Sequence, residues 1–277
     1  MKKILILMLS VVLVFALSVS LFSCGDDTPE ECTEHTDANS DGKCDNCEAD
    51  MPKVPDGTEE PMTHAEFMAA EIGESVFVET YVQAKQGWWN NNGVDVATFY
   101  TENEEGGYFI YNMPCTEEEY NALVAGTKIS VKGYKAIFND LHEISDATFE
   151  IIEGDTYVAE PMDITDIIAT DAVMNYQGMK YTVTLTVAEF KDGAAFGYGW
   201  DGSGTDGADI YFKLTDGTNT YSFVIETYLT GADSDVYAAA KALQIGDTIT
   251  VEGFVYWYEG FQAHVTSITV EADTPAI

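Results

Sequence analysis

Two stretches of the chain, 123–149 and 243–270, say nearly the same thing. The first reads LVAGTKISVKGYKAIFNDLHEISDATF and the second LQIGDTITVEGFVYWYEGFQAHVTSITV. With Gly126 set on Gly246, Ile129 falls on Ile249, Val131 on Val251, Gly133 on Gly253 and Tyr134 on Phe254. One extra residue in the turn of the second copy then brings Ile144 onto Val265. The offset of 120 residues between Gly126 and Gly246 is too long for a solenoid unit, so the chain holds two copies of one domain.

Each copy follows one grammar: a short helix ending in glycine, an alternating strand, a tight turn and a second strand. Thr116 and Glu119 make a capping box, which starts a helix that stops at Gly126, where a left-handed backbone costs glycine least. Ile129 and Val131 then face one way while Ser130, Lys132 and Tyr134 face the other, the mark of a half-buried strand. Gly133 and Gly253 interrupt the two strands at the same place and predict a bulge, which a sheet needs to close on itself. A helix before the fourth of five strands, one of them kinked, resembles the OB-fold, a small Greek-key barrel. The resemblance covers roughly residues 63–152 and 163–271. It implies a mainly β chain with two OB-fold-like five-stranded barrels in tandem, each with short helices.

The N-terminus reads as an address. Lys2 and Lys3 precede the uncharged apolar run Ile4 to Phe22, which has the length of either a signal sequence or a membrane span. Leu21-Phe22-Ser23-Cys24 resembles a bacterial lipobox, implying a lipoprotein signal peptide over 1–23 and lipidation of Cys24. That predicts a membrane anchored through lipid and a chain on the extracytoplasmic face. The remaining boundaries follow: an acidic tether with a metal-like module and proline linker over 24–61, then OB-fold-like domains over 62–156 and 157–277. The prolines at 52, 55 and 61 mark the linker.

Residues 32–48, CTEHTDANSDGKCDNCE, overlay two metal patterns. Asp37, Asn39, Asp41, Asp45 and Glu48, with the carbonyl of Lys43, are spaced like an EF-hand calcium loop around Gly42. Cys32, His35, Cys44 and Cys47 have the number and softness of a Cys3His zinc site. The other reading is a disulfide-stapled loop, one thiol remaining free or pairing with Cys115. Either way so short a segment needs a cation or a crosslink for order. The stretch resembles Asp- and Cys-rich modules near the N-termini of clostridial surface proteins. The chain as a whole therefore resembles clostridial-type surface lipoproteins with tandem OB-fold-like domains.

Charge narrows the partners. The chain carries 48 acidic residues against 12 lysines and no arginine, a formal net charge of −36. Affinity for nucleic acid comes largely from cations that neutralise phosphates, so this balance argues against nucleic acid and against anionic lipid surfaces. It fits a hydrated surface protein.

OB barrels bind on the face of strands 2 and 3, between the loop joining strands 1 and 2 and the loop joining strands 4 and 5. Those loops carry Trp88, Trp89 and Phe138 in the first copy and Trp200, Trp257 and Tyr258 in the second. Aromatic faces beside carboxylates and amides suit sugar rings. The same rings could instead cover barrel ends or a seam between domains, as large aromatics usually do. His142 and His264 stand near the start of the last strand in each copy and read as a repeated structural position. Cys115 precedes a helix N-terminus, a placement that lowers a thiol pKa, but no histidine is placed beside it by the sequence. No catalytic constellation stands out. The expectation is a non-enzymatic surface module binding a neutral glycan or peptide outside the cell. The alternatives are a protein-partner adaptor or a single-strand nucleic-acid accessory of an extracellular nuclease system.

Along the chain, helices are expected from Thr63 to about Ile72, from Asp163 with Asp166, and over Ser234–Leu243. Asp192–Ala208 has no phosphate-loop spacing and reads as a mobile or hairpin loop.

Overall fold

The computed structural model describes residues 60–271. The lipobox Cys24 and the whole 32–48 segment lie outside them. In chain order the first half contains α1 (His64–Ala69), β1 (Ser75–Lys85), β2 (Trp89–Asn91), β3 (Val94–Asn103), β4 (Gly106–Pro114), α2 (Glu117–Ala122), β5 (Thr127–Phe138) and β6 (Leu141–Thr156). The second half contains β7 (Met162–Asp163), a 3-10 helix (Asp171–Tyr176), β8 (Lys180–Ala188), β9 (Phe196–Tyr198), β10 (Ile210–Thr215) and β11 (Thr220–Ile225). It ends with α3 (Thr227–Thr230), α4 (Asp235–Lys241), β12 (Thr248–Phe254) and β13 (Gln262–Val270).

Both sheets close in the same way. In the first, β1-β5-β6-β4-β3 run side by side and β3 returns to β1. In the second, β8-β12-β13-β11-β10 do the same, with β10 returning to β8. Strand three meets strand five in parallel in each, β4 on β6 and β11 on β13, while the other barrel neighbours are antiparallel. With a helix between strands three and four, this is the Greek-key barrel of the OB-fold, twice. Alternation builds each core. Val76, Val78 and Val82 of β1 face Ile129 and Val131 of β5 inside the first barrel, and Ile249 and Val251 do so in the second. The helices start where the side chains dictate: Thr63 with Glu66 and Thr116 with Glu119 form reciprocal capping boxes, and Ser234 caps α4. α1 stops at Ala69 and α2 at Ala122, short of the expected Ile72 and Gly126.

The interrupting glycines sit at bulges. The β5–β6 register slips between Lys132 and Tyr134, and the β12–β13 register between Glu252 and Gly253. A Cβ on Gly133 would lie 2.7 Å from both Ile144 Cγ2 and the Ser145 carbonyl, and one on Gly253 only 1.8 Å from the His264 carbonyl. Close approach of the neighbouring strand, not a left-handed φ, excludes a side chain at both.

Three expectations change. The helix expected from Asp163 is absent: Met162 and Asp163 pair with β8, and the chain then turns into the 3-10 helix. Asp163 Oδ1 accepts from Thr165 N and Oγ1 as an N-cap would, but only a single turn follows, closed by the Ile168 N–H on the Ile164 carbonyl. The second hairpin is one residue shorter than the first, not longer. Tyr134 pairs with Ser145 eleven positions on, whereas Phe254 pairs with His264 ten positions on. Ile144 therefore matches Ala263, not Val265. For the same reason His142 and His264 are not equivalent positions. The Asp192–Ala208 segment takes the hairpin form of the two expected, with β9 antiparallel to β10.

One inward position is unexpected. Lys135 lies on the core face of β5, 1% exposed, with Nζ 3.5 Å from the Phe67 ring centroid and hydrogen-bonded to His142 Nδ1 at 2.8 Å. Burial lowers it to about 7.

Gly253→Ala should destabilise the chain by about 3 kcal/mol or more, because backbone has no room to retreat. Gly133→Ala should cost less, since one of its clashing atoms belongs to a side chain. Urea unfolding of both variants measures this, and a Gly253→Ala chain as stable as the parent would contradict the bulge geometry.

Candidate functional site

The face formed by strands 2 and 3 has opposite fates in the two barrels. In the first, the outward residues Tyr100 and Phe109 are buried beneath the second barrel. Tyr100 stacks on Phe254 with centroids 4.4 Å apart and planes 19° from parallel, and Phe109 meets Tyr256 edge-on at 5.7 Å. Tyr100 Oη is hydrogen-bonded to His264 Nδ1 at 2.7 Å, and Glu102 accepts the Lys180 N–H at 2.8 Å. The first barrel's ligand face is thus a docking face.

In the second barrel the same face is open. β10 and β11 floor a cleft of about 970 Å³, at the upper end for small-ligand sites. Tyr211 and Lys213 stand on one floor strand at alternate positions, with Ser222 and Val224 on the other. The loop between β8 and β10 forms one wall with Phe190, Lys191 and Trp200. The loop between β12 and β13 forms the other with Tyr256 and Tyr258. Trp200 is 78% exposed and Tyr258 44%, so both rings are free to stack.

The first barrel shapes this cleft from behind. Gln86 Nε2 donates to Glu226 Oε2, Gly87 N–H donates to the Tyr228 carbonyl, and Glu259 N–H donates to the Asn139 carbonyl. Phe138, at the tip of the β5–β6 hairpin, rests on Tyr258 with centroids 6.0 Å apart. That hairpin can reach so far because Asn139 and Asp140, both at positive φ, make a two-residue turn.

Of the six aromatic residues expected at the ligand loops, Trp200 and Tyr258 line the cleft and Phe138 supports it. Trp88 packs on the first core and its indole N–H donates to the Cys115 carbonyl at 3.0 Å. Trp89 lies on β2 opposite Val96, and Trp257 packs against the second core and the seam. The floor residues Tyr211, Lys213 and Glu226 were missed. The alternation of Ile210-Tyr211-Phe212-Lys213 marks Tyr211 and Lys213 as an outward pair, but nothing local marks Glu226. The Cys115 thiol is pushed up to about 11 by burial first, against the lowering expected at a helix start. Among the described residues no group of three or more His, Cys, Asp or Glu side chains could hold a metal ion.

Titratable groups under the cleft are shifted towards neutrality. Glu226 is raised to about 7, chiefly by burial and then by the Asp209 carboxylate. Glu102 and Glu143, at the seam, are raised to about 7 by burial. His264 is lowered to about 3 by burial, so its contact with Glu226 at 3.5 Å is not an ion pair near neutral pH.

No family model matches the chain, and no curated protein matches it. Solved structures do align with it. A murine DNA-binding protein bound with double-stranded DNA shares 12% identity at a TM-score of 0.35, over 73% of this chain and 98% of that one. The p204 HINb domain shares 9% at 0.34, over 73% and 100%. A Replication Protein A heterotrimer bound to single-stranded DNA shares 9% at 0.32, over 80% of this chain and 52% of that one. Likeness this distant leaves the ligand to be read from the chain's own geometry. One expectation is corrected, that charge argues against a nucleic-acid partner: among the aligned chains are proteins bound to double- and single-stranded DNA. Physically, net charge averages the whole surface, and this face carries Lys191 and Lys213 beside exposed rings as well as Asp201, Asp209, Glu226 and Glu259.

Because Glu226 holds its proton up to about 7 in the folded chain but only to the ordinary 4.5 when unfolded, the folded state binds the extra proton between those values. Its contribution is present below the lower value and is lost as pH rises through 7. Replacing it by Gln should remove this loss, making the variant gain roughly 2 kcal/mol on the parent between pH 5 and 8. Urea unfolding at the two pH values measures it, and parallel profiles would refute the assignment.

Proposed function

We propose that the chain is a non-enzymatic binding module that holds an extended polar ligand, a neutral glycan or a peptide, on the open β10–β11 face. The observation that supports this reading is the cleft itself, in which Trp200, Tyr256 and Tyr258 stand around a floor of mixed polar and charged groups. Ring faces take the CH face of a sugar or the stem of a side chain, while carboxylates accept from hydroxyl or amide donors. A cleft held open by contacts from a second barrel is preorganised, which reduces the ordering cost of binding. His264, the histidine in the cleft, is held by Tyr100 and kept neutral, which suits a positioning role better than proton transfer. The lipobox resemblance at Cys24 supports display of this module on the extracytoplasmic face, with membrane attachment through the lipid alone.

A second reading has its own support. The exposed Trp200 beside Lys191 is a platform on which an unpaired base could stack, as in single-strand binding proteins. Stacking of this kind is expected with strong salt dependence.

A panel of neutral oligosaccharides, peptides and single-stranded oligonucleotides should be titrated against the parent chain, Trp200→Ala, Tyr258→Ala and Trp88→Phe. Ligands of the cleft should weaken about 10- to 100-fold with either of the first two, following ~1–3 kcal/mol per stacked ring, and change little with the third. Oligonucleotide binding that falls steeply with salt would favour the second reading. Binding indifferent to Trp200 and Tyr258 would place the ligand elsewhere and sink both.

A further inference from the structure

The floor of the cleft holds two carboxylates where a sheet would not ordinarily place them. Ile210 and Ile225 are directly paired at the end of β10 and β11, and Asp209 and Glu226 are the residues just beyond that pair. The two like charges are close enough that Asp209 raises the Glu226 carboxyl. Neither carboxylate has a cation of its own here. Asp209 Oδ1 takes both the backbone and hydroxyl protons of Thr227 at 2.8 Å, which leaves Oδ2 for a ligand. Glu226 takes the Gln86 amide on Oε2. The two lysines of the cleft are engaged at its loop wall, Lys191 with the Asp201 carbonyl at 2.8 Å and Lys213 with the Phe190 carbonyl at 3.3 Å.

The walls around the pair are aromatic. Tyr211 adjoins it on β10, and Tyr256, stacked on His264 at 4.0 Å, and Tyr258 close it from the opposite loop. Facing carboxylates beneath three phenol rings form the environment that holds an organic cation, by charge below and ring faces at the sides. We infer that the Asp209–Glu226 pair is a subsite for the ammonium or guanidinium of a basic side chain, so the ligand is a peptide presenting a lysine or arginine.

A side chain suits the geometry better than an amino sugar. The Glu226 side chain is only 21% exposed, and a slim four-atom stem can lie along the rings while its charged tip reaches the floor. An amino sugar carries its charge on the ring and must bring the ring's full width with it. The groups facing Glu226 from the packed elements are Asp209, Tyr211, Tyr256, His264 and, from the first barrel, Tyr100 and Gln86, none of which carries a positive charge at neutral pH. A bound cation would be the first opposite charge that this carboxylate meets.

This inference rests on the open-face reading, and matched probes separate the two. The pentapeptide Gly-Gly-Lys-Gly-Gly and its Nε-acetyllysine form differ in one charge. Titrated by NMR against the full chain at low salt, the lysine form should bind at least 10-fold more tightly. Asp209→Asn and Glu226→Gln keep the acceptors for Thr227 and Gln86, so both should fold, and each should weaken the lysine form about 5- to 10-fold while leaving the acetyl form unchanged. Glu117→Gln/Glu118→Gln on α2, remote from the cleft, should change neither peptide more than twofold, which excludes general attraction to an acidic surface. Equal binding of both peptides, each weakened by Trp200→Ala, would overturn the cation subsite and leave the open face standing. A glucosamine oligomer that binds more tightly than the lysine peptide, and loses that advantage in Glu226→Gln, would overturn the peptide assignment. Failure of every probe to perturb residues of the cleft would overturn the open-face reading itself.

Discussion

The stack of Tyr100 on Phe254 joins the two barrels, and most of what distinguishes this chain from a string of independent domains follows from it. Tyr100, Phe109, Leu141 and Phe254 form a small buried cluster between the two larger cores. Were the barrels apart, Tyr100 and Phe109 would lie exposed on the outer face of β3 and β4, an apolar patch that soluble surfaces avoid. Burial of those rings also brings the first barrel's loops against the second barrel's cleft. Gln86, Phe138 and Asn139 then reach Glu226, Tyr258 and Glu259. The shape of the cleft on one barrel is therefore coupled mechanically to the packing of the other.

Charge is handled inside this assembly by neutralisation more than by pairing. With 48 acidic residues against 12 lysines, most carboxylates have no lysine to meet. Among the described residues, the ion pairs of Lys128 with Glu79 and of Lys241 with Asp206 are at the surface, where such pairs contribute little. Buried groups instead shift until they lose charge. Glu102, Glu143 and Glu226 rise to about 7, Lys135 falls to about 7 and His142 to about 4. Desolvation is the first cause in each case and outweighs the opposite charges that act on two of them, Lys180 on Glu102 and Asp140 on His142. The seam and the floor of the cleft are consequently tuned to near-neutral pH.

The repeat made the fold legible, because strand alternation, capping boxes and bulge glycines are local signals that survive duplication. Thr116 with Glu119 and Gly133 with Gly253 could be read without neighbours. The loops that flank the cleft were legible too, since the barrel topology fixes them. Illegible was whatever depends on the partner barrel: that Tyr100 is covered while Tyr211 is open, or that Glu226 sits over a seam. Tryptophan content could not decide between wall and platform for a related reason. Trp88 and Trp257 have the same chemistry as Trp200, and only packing separates a wall from a platform. A cap alone does not make a helix. Asp163 caps through Thr165 two residues on, but the chain makes one turn and does not continue it.

Duplication with divergence accounts for the asymmetry of the two faces. In the first copy the hairpin between strands four and five runs on past the bulge to a two-residue turn, so a stiff β-ribbon projects toward the second barrel. In the second copy the strand ends at Phe254, and residues 255–261 leave the ladder as a loop bearing Tyr256 and Tyr258. The loop between strands one and two is longer in the second copy, where residues 189–209 include β9 and the exposed Trp200. The strand-paired hairpin of the first copy permits close docking; the unpaired segment and the longer loop of the second surround a cavity. From one barrel plan, strand pairing at one loop and length at the other are enough to turn one face into a support and its counterpart into an open cleft.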